Sequence, residues 1–111
     1  MRKIAVLAVL VVFVLFAGCK NDPDPDAVYK VTYFDNGSTY GFPPVDRNQY
    51  TSGMDVTVLD HNTLSKAGFT FKCWNTNRDG TGASYAAGDT IKITDRDVFL
   101  YAIWEPAPLG N

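Results

Sequence analysis

The sequence predicts a β-dominated α+β domain with four to five short strands and at most one short helix. Three observations carry this. Apolar and polar residues alternate with period two in several short runs rich in Val, Ile, Thr, Tyr and Phe. These runs recur about every ten to fifteen residues and are separated by Gly, Pro, Asn and Asp clusters. Only one stretch, residues 60–66, offers a helix cap and stop, and it is too short for more than a single turn.

The 111 residues have room for one domain, and 46% of them are apolar. Part of that apolar content belongs to a leader. Met1-Arg2-Lys3 is basic, Ile4 to Phe16 is an unbroken apolar run of 13 residues, and Ala17-Gly18-Cys19 closes it. This is the layout of a secretory signal peptide. Thirteen residues fall short of the roughly 20 that a membrane-spanning helix requires. Leu15-Phe16-Ala17-Gly18-Cys19 further resembles the lipobox of bacterial lipoproteins. That resemblance implies removal of residues 1–18 and acylation (palmitate among the acyl groups) of Cys19, which becomes the first residue of the mature chain. With more than one acyl chain, Cys19 is a durable tether, since a single chain holds only marginally.

The whole chain carries 10 basic and 12 acidic side chains, and loss of Arg2 and Lys3 leaves a net charge of −4. A surface of that sign repels phosphate, so nucleic acid is excluded as a partner and a polybasic grip on lipid is not available. There are two cysteines, and with Cys19 acylated Cys73 has no partner in the chain, which excludes a disulfide scaffold. A single histidine, His61, leaves no Cys/His zinc site. No metal or cofactor is expected.

Residues 20–27 form a linker with Pro23, Pro25 and three aspartates, which has nothing to bury. Its Asp-x-Asp-x-Asp spacing suggests calcium, but the glycine and distal glutamate of a calcium loop are missing. Val28 to Phe34 alternates, with Tyr29, Val31 and Tyr33 on one face, and Asp35-Asn36-Gly37-Ser38 ends it as a turn. Thr39 to Asn48 is irregular around Pro43-Pro44. Met54 to Leu59 reads as a strand with Val56 and Val58 inward. Asp60 or Asn62 caps a helical turn through Lys66 that Gly68 ends, with His61 a solvated residue in this connection. In the next strand Phe69, Phe71 and Cys73 share the core face, and Thr70, Lys72 and Trp74 lie opposite. A loop follows over 75–84, and Tyr85 is a packing residue. Thr90 to Thr94 is a short alternating strand, and Val98 to Trp104, apolar at every other position on both sides, reads as a strand covered on each face. Residues 105–111 are a flexible tail.

Several of these segments together resemble a known repeat. They are Val31-Thr32-Tyr33-Phe34-Asp35-Asn36-Gly37, Ala67-Gly68-Phe69-Thr70-Phe71-Lys72-Cys73-Trp74-Asn75-Thr76, Asp79-Gly80-Thr81-Gly82, Tyr85, Ala87-Gly88-Asp89 and Leu100-Tyr101-Ala102-Ile103-Trp104. In order and spacing they are similar to one Listeria–Bacteroides repeat, also called the internalin B-type B repeat, over residues 28–104. The resemblance implies a small β-grasp-like domain of a bacterial surface protein, used in adhesion or host contact and without catalytic residues.

No nucleophile elbow, phosphate loop or carboxylate pair in an apolar setting is present, so the chain does not read as an enzyme. The expected role is that of a membrane-anchored envelope protein, on the inner or outer membrane or the cell surface, that contacts a protein or glycan. Exposed aromatics are the usual anchors of such contacts, and the candidates are Tyr40, Phe42, Tyr50 and Trp74. The other reading is a structural spacer of the envelope with no ligand.

Overall fold

The structure, a computed structural model, describes residues 24–109. The leader, Cys19 and the first part of the linker lie outside the described residues. Six strands form in chain order: β1 (Val31–Phe34), β2 (Asp55–Thr57), β3 (Phe69–Asn75), β4 (Ser84–Tyr85), β5 (Thr90–Lys92) and β6 (Val98–Pro106). They make two sheets. One has four strands in the order β1-β6-β3-β4, and the other pairs β2 with β5. The first and last strands run parallel, with Val31 opposite Val98 and Phe34 opposite Tyr101, while β3 runs antiparallel to β6.

The alternation in β1 becomes its burial pattern. Val31 and Tyr33 are buried, and Thr32 and Phe34 face outward. Val56 and Ile91 from the β2–β5 pair, with Val58 and Ile93 just beyond these strands, join them in one core with Trp74, Leu100 and Ala102. The small sheet thus covers one face of the large one, which is the layered solution for an amphipathic sheet.

The expected helical turn at 60–66 does not form, and no helix exists among the described residues. Leu64 donates to the carbonyl of His61 in a single turn in which Asn62 takes a φ of 60°. Ser65 and Tyr40 then exchange backbone hydrogen bonds, at 3.0 Å in each direction. A bridge to a segment distant in the chain satisfies these backbone groups, and a five-residue helix is too short to compete. Gly41, beside the bridge, has a φ of 84°, and a side chain there would run into the carbonyl of Thr63.

Strand β3 departs most from its sequence pattern. Phe71 stands opposite Trp104, but Cys73 stands opposite Ile103, so the register shifts between them. Two β3 residues meet one of β6, a β-bulge, and the bulge breaks the period of two. Phe71 and Trp74 therefore reach the same inner face, where their rings meet edge-on at 5.1 Å. Trp74 is fully buried, Phe71 and Cys73 are half-buried, and Phe69 is exposed. Phe71 keeps its expected inward side, whereas Trp74 enters the core in place of Cys73 and Phe69 stays outside it.

Strand β6 is covered on one face only. Leu100 and Ala102 are buried, whereas Phe99 on the other side is 46% exposed. Nor is the chain free beyond Trp104. β6 continues through Pro106, opposite Phe69, and Ala107 donates to the Gly68 carbonyl at 2.9 Å. His61 also differs from expectation: it is half-buried and stacks on Phe71 with ring centroids 4.3 Å apart.

Candidate functional site

Two aromatic surfaces remain outside the core. The first is the uncovered face of the four-stranded sheet. Parallel pairing sets Phe34 beside Tyr101, and their rings stack at 4.8 Å with an interplanar angle of 15°. Phe34 also lies 6.0 Å from Phe99, and the guanidinium of Arg78 sits over the other ring, 5.5 Å from the centroid of Tyr101. Arg78 makes no ion pair among the described residues. The result is a row of three rings ended by a cation, an arrangement that favours apolar or aromatic contact with some polarity at one end.

The second surface is the segment 39–45. Tyr40 is 66% exposed, Phe42 80% and Val45 67%. Pro44 and Pro43 have no amide hydrogens, so the segment meets β1 through a single bridge, Thr32 to Val45. Directly opposed residues of adjacent strands point to one side, so Val45 shares the outer face with Thr32 and Phe34 and joins the two surfaces. The segment is held from behind. The Phe42 amide donates to Thr63 Oγ1 at 3.3 Å, and Thr39 Oγ1 accepts from the amide of Ala67 at 2.9 Å.

Of the four aromatics proposed for contact from the sequence, Tyr40 and Phe42 are exposed, and Tyr50 and Trp74 are not. Tyr50 is only 7% exposed, its backbone paired with Tyr29 and its hydroxyl donating to Asp46 Oδ2 at 2.6 Å. Burial, and then that hydrogen bond, raise its pKa above the usual phenol value. The bulge carries Trp74 inward, where its Nε1 donates to the Leu59 carbonyl at 2.9 Å. Both are core residues and are withdrawn as contact candidates. Sequence reasoning missed Phe34, Phe99 and Tyr101. For Phe99 and Tyr101 the available signal is the apolar outward register of the last strand, which the sequence pattern presents as a covered face; Phe34, at the end of the first strand, carries no such signal.

The loop after β3 frames one end of the open face. Asn75 is the buried polar side chain among the described residues, and all of its amide is engaged. Oδ1 accepts from the amides of Asn77 at 2.8 Å and Gly82 at 2.9 Å. Nδ2 donates to the carbonyls of Gly80 and Gly82 and to Ser84 Oγ, at 3.2, 3.1 and 2.9 Å. A side chain at Gly82 would strike Thr76 Oγ1 and Asn75 Oδ1, which explains the glycine. Asp79 closes the loop outside by accepting from the hydroxyl and amide of Thr81, and these bonds lower its pKa. No group of three or more potential metal ligands occurs among the described residues, nor any helix long and apolar enough to cross a membrane.

Comparison with known proteins places these features in a family. The profile of the Listeria-Bacteroides repeat domain matches residues 29–103. A protein of Evansella cellulosilytica named as a Gly-rich membrane protein is 44% identical over 71 residues, covering 54% of this chain and 8% of that protein. A second protein of the same organism, named as a membrane protein, is 37% identical over 76 residues, covering 68% of this chain and 11% of its own length. The chain thus spans about a tenth of these relatives. No solved structure matches it. The chain belongs to the Listeria-Bacteroides repeat domain family.

Proposed function

We propose that the chain is a lipid-anchored protein of the bacterial cell envelope that presents one repeat domain for contact with a protein or a glycan. The observation that carries this reading is the display of Tyr40 and Phe42 on a segment fixed to the domain at both ends. Large rings held in water, with no core to enter, are the anchors that binding surfaces use. The row Phe34, Phe99 and Tyr101 extends the same surface through Val45. The proposed role is binding without catalysis.

The anchor is proposed from the leader and from Cys19, whose setting resembles a lipobox. The membrane-protein names of the two relatives support an envelope location. A β-grasp-like fold is proposed from the parallel pairing of the first and last strands, with β3 as the antiparallel neighbour of the last.

The test is capture of envelope components by the full chain and by a Tyr40→Ser/Phe42→Ser variant. The expected result is specific capture by the parent chain that the variant loses while its melting temperature is unchanged. No specific capture by the parent chain would instead favour the spacer reading, and equal capture by both chains would remove Tyr40 and Phe42 as the contacts.

A further inference from the structure

A gap in the ladder beside β6 suggests how a second ligand would bind. Val98 donates to the Lys30 carbonyl at 2.9 Å, so Val98 is turned toward β1, and Phe99, one residue on, is turned toward the β3 side. The β3 ladder ends at Asn75 opposite Tyr101, one step short of Phe99. Asn77 would stand opposite Phe99 if β3 continued. Its amide instead donates to Asn75 Oδ1 at 2.8 Å, and its carbonyl accepts from Gly80 at 3.0 Å. The Asn75-centred loop thus draws β3 away and leaves the amide and carbonyl of Phe99 without a strand partner among the described residues.

A cleft of about 290 Å³ lies at this gap. Tyr85, Ile91, Val98 and Phe99 supply its apolar lining, and Lys92, Arg96 and Asp97 line it as well. Asp97 is already engaged, its Oδ1 accepting the Lys30 amide at 2.9 Å. The two cations pair with Asp55 at 3.0 Å and Asp95 at 3.1 Å, but all four side chains are well exposed. Exposed pairs of this kind contribute little and exchange readily for another carboxylate. Just past β5, Ile93 exchanges backbone bonds with Gly53 and Met54, so Lys92 directs its own amide and carbonyl away from β2.

We propose that this cleft accepts an extended peptide with an apolar side chain flanked by acidic residues. The peptide would extend the β6 ladder at Phe99, its carbonyl accepting from the Phe99 amide and its amide donating to the Phe99 carbonyl. The apolar side chain fills the cleft and the acidic flanks meet Lys92 and Arg96, a strand-addition mode in which backbone bonds hold and a pocket selects. The site shares Phe99 with the open-face row but does not include Tyr40 or Phe42, which carry the contact reading above, so the Tyr40→Ser/Phe42→Ser variant separates the two.

The test uses the full ¹⁵N-labelled chain and a blocked peptide, Asp-Glu-Val-Ile-Val-Glu-Asp. Saturable shifts centred on Phe99 and Lys92 are expected, with slower hydrogen exchange at the Phe99 amide. N-methylation at alternate peptide positions should weaken binding by about tenfold or more, as expected when backbone hydrogen bonds are removed. A Lys92→Gln/Arg96→Gln variant, with its melting temperature unchanged, should lose the preference for acidic over lysine-flanked peptide. The Tyr40→Ser/Phe42→Ser variant should bind the peptide like the parent. The proposal is overturned by the absence of a saturable shift at Phe99, by indifference to N-methylation, or by a flank preference that survives removal of the two cations.

Discussion

Trp74 and Tyr33 grip the backbone of Leu59 from both sides. The indole N–H donates to the Leu59 carbonyl at 2.9 Å, the Leu59 amide donates to the Tyr33 hydroxyl at 2.9 Å, and the two rings meet edge-on at 4.8 Å. One residue at the end of the β2 segment is thereby tied to β1 and β3, so the two sheets are joined by polar bonds inside an apolar core. Buried polar groups of this kind cost most when one partner is removed.

Trp74→Ala should therefore destabilise the domain by about 3–5 kcal/mol, the range for an emptied aromatic site. Trp74→Phe should cost less, about 1–3 kcal/mol, since it retains most of the packing but orphans the Leu59 carbonyl. Urea unfolding followed by circular dichroism measures both. A neutral Trp74→Ala would contradict the inward turn produced by the bulge.

Asn75→Asp keeps the size of the side chain but replaces an amide donor with a carboxylate facing the Gly80 and Gly82 carbonyls. The expected loss is about 1–3 kcal/mol or more in urea unfolding, the cost of leaving buried groups unpaired. Hydrogen exchange should locate the opening in residues 76–83.

Alkaline pH should weaken the fold. Burial raises the pKa of Tyr33, opposed by the Leu59 amide, and raises that of Tyr50, reinforced by the bond to Asp46. With an unfolded value of 10.0, this contribution is complete below about pH 10 and is lost as pH rises through the folded values. Urea midpoints should fall above about pH 10, and Tyr50→Phe should flatten that fall.

Cys19→Ala should move the protein from the membrane fraction to the soluble fraction, and mass spectrometry of the parent chain should find acyl groups on Cys19. An unmodified mature N-terminus would remove the anchor from the account.

The sequence made the alternating strands legible because their periodicity is undisturbed. Val31 and Tyr33, Val56 and Val58, and Ile91 and Ile93 all face inward as their spacing predicts. It misassigned β3 because one extra residue at the bulge inverts every later position, and no local pattern marks the insertion. Tyr50 and Ser65 were hidden for a different reason: their partners, Tyr29 and Tyr40, are distant in the chain. Alternating apolar residues in β6 show that both faces are hydrophobic, but not that the β2–β5 pair covers just one. Tyr40 and Phe42 were legible beside Pro43-Pro44, where regular pairing stops, whereas the row on the open sheet face required the parallel register of β1 and β6.

The most direct measurement of the central claim is photo-crosslinking in intact cells, with a crosslinking amino acid replacing Phe42 in one variant and Asp89, on the turn before β5, in another. A contact surface at 39–45 predicts a discrete adduct from position 42 and none from position 89. Equal adducts from both, or none from position 42, would contradict it.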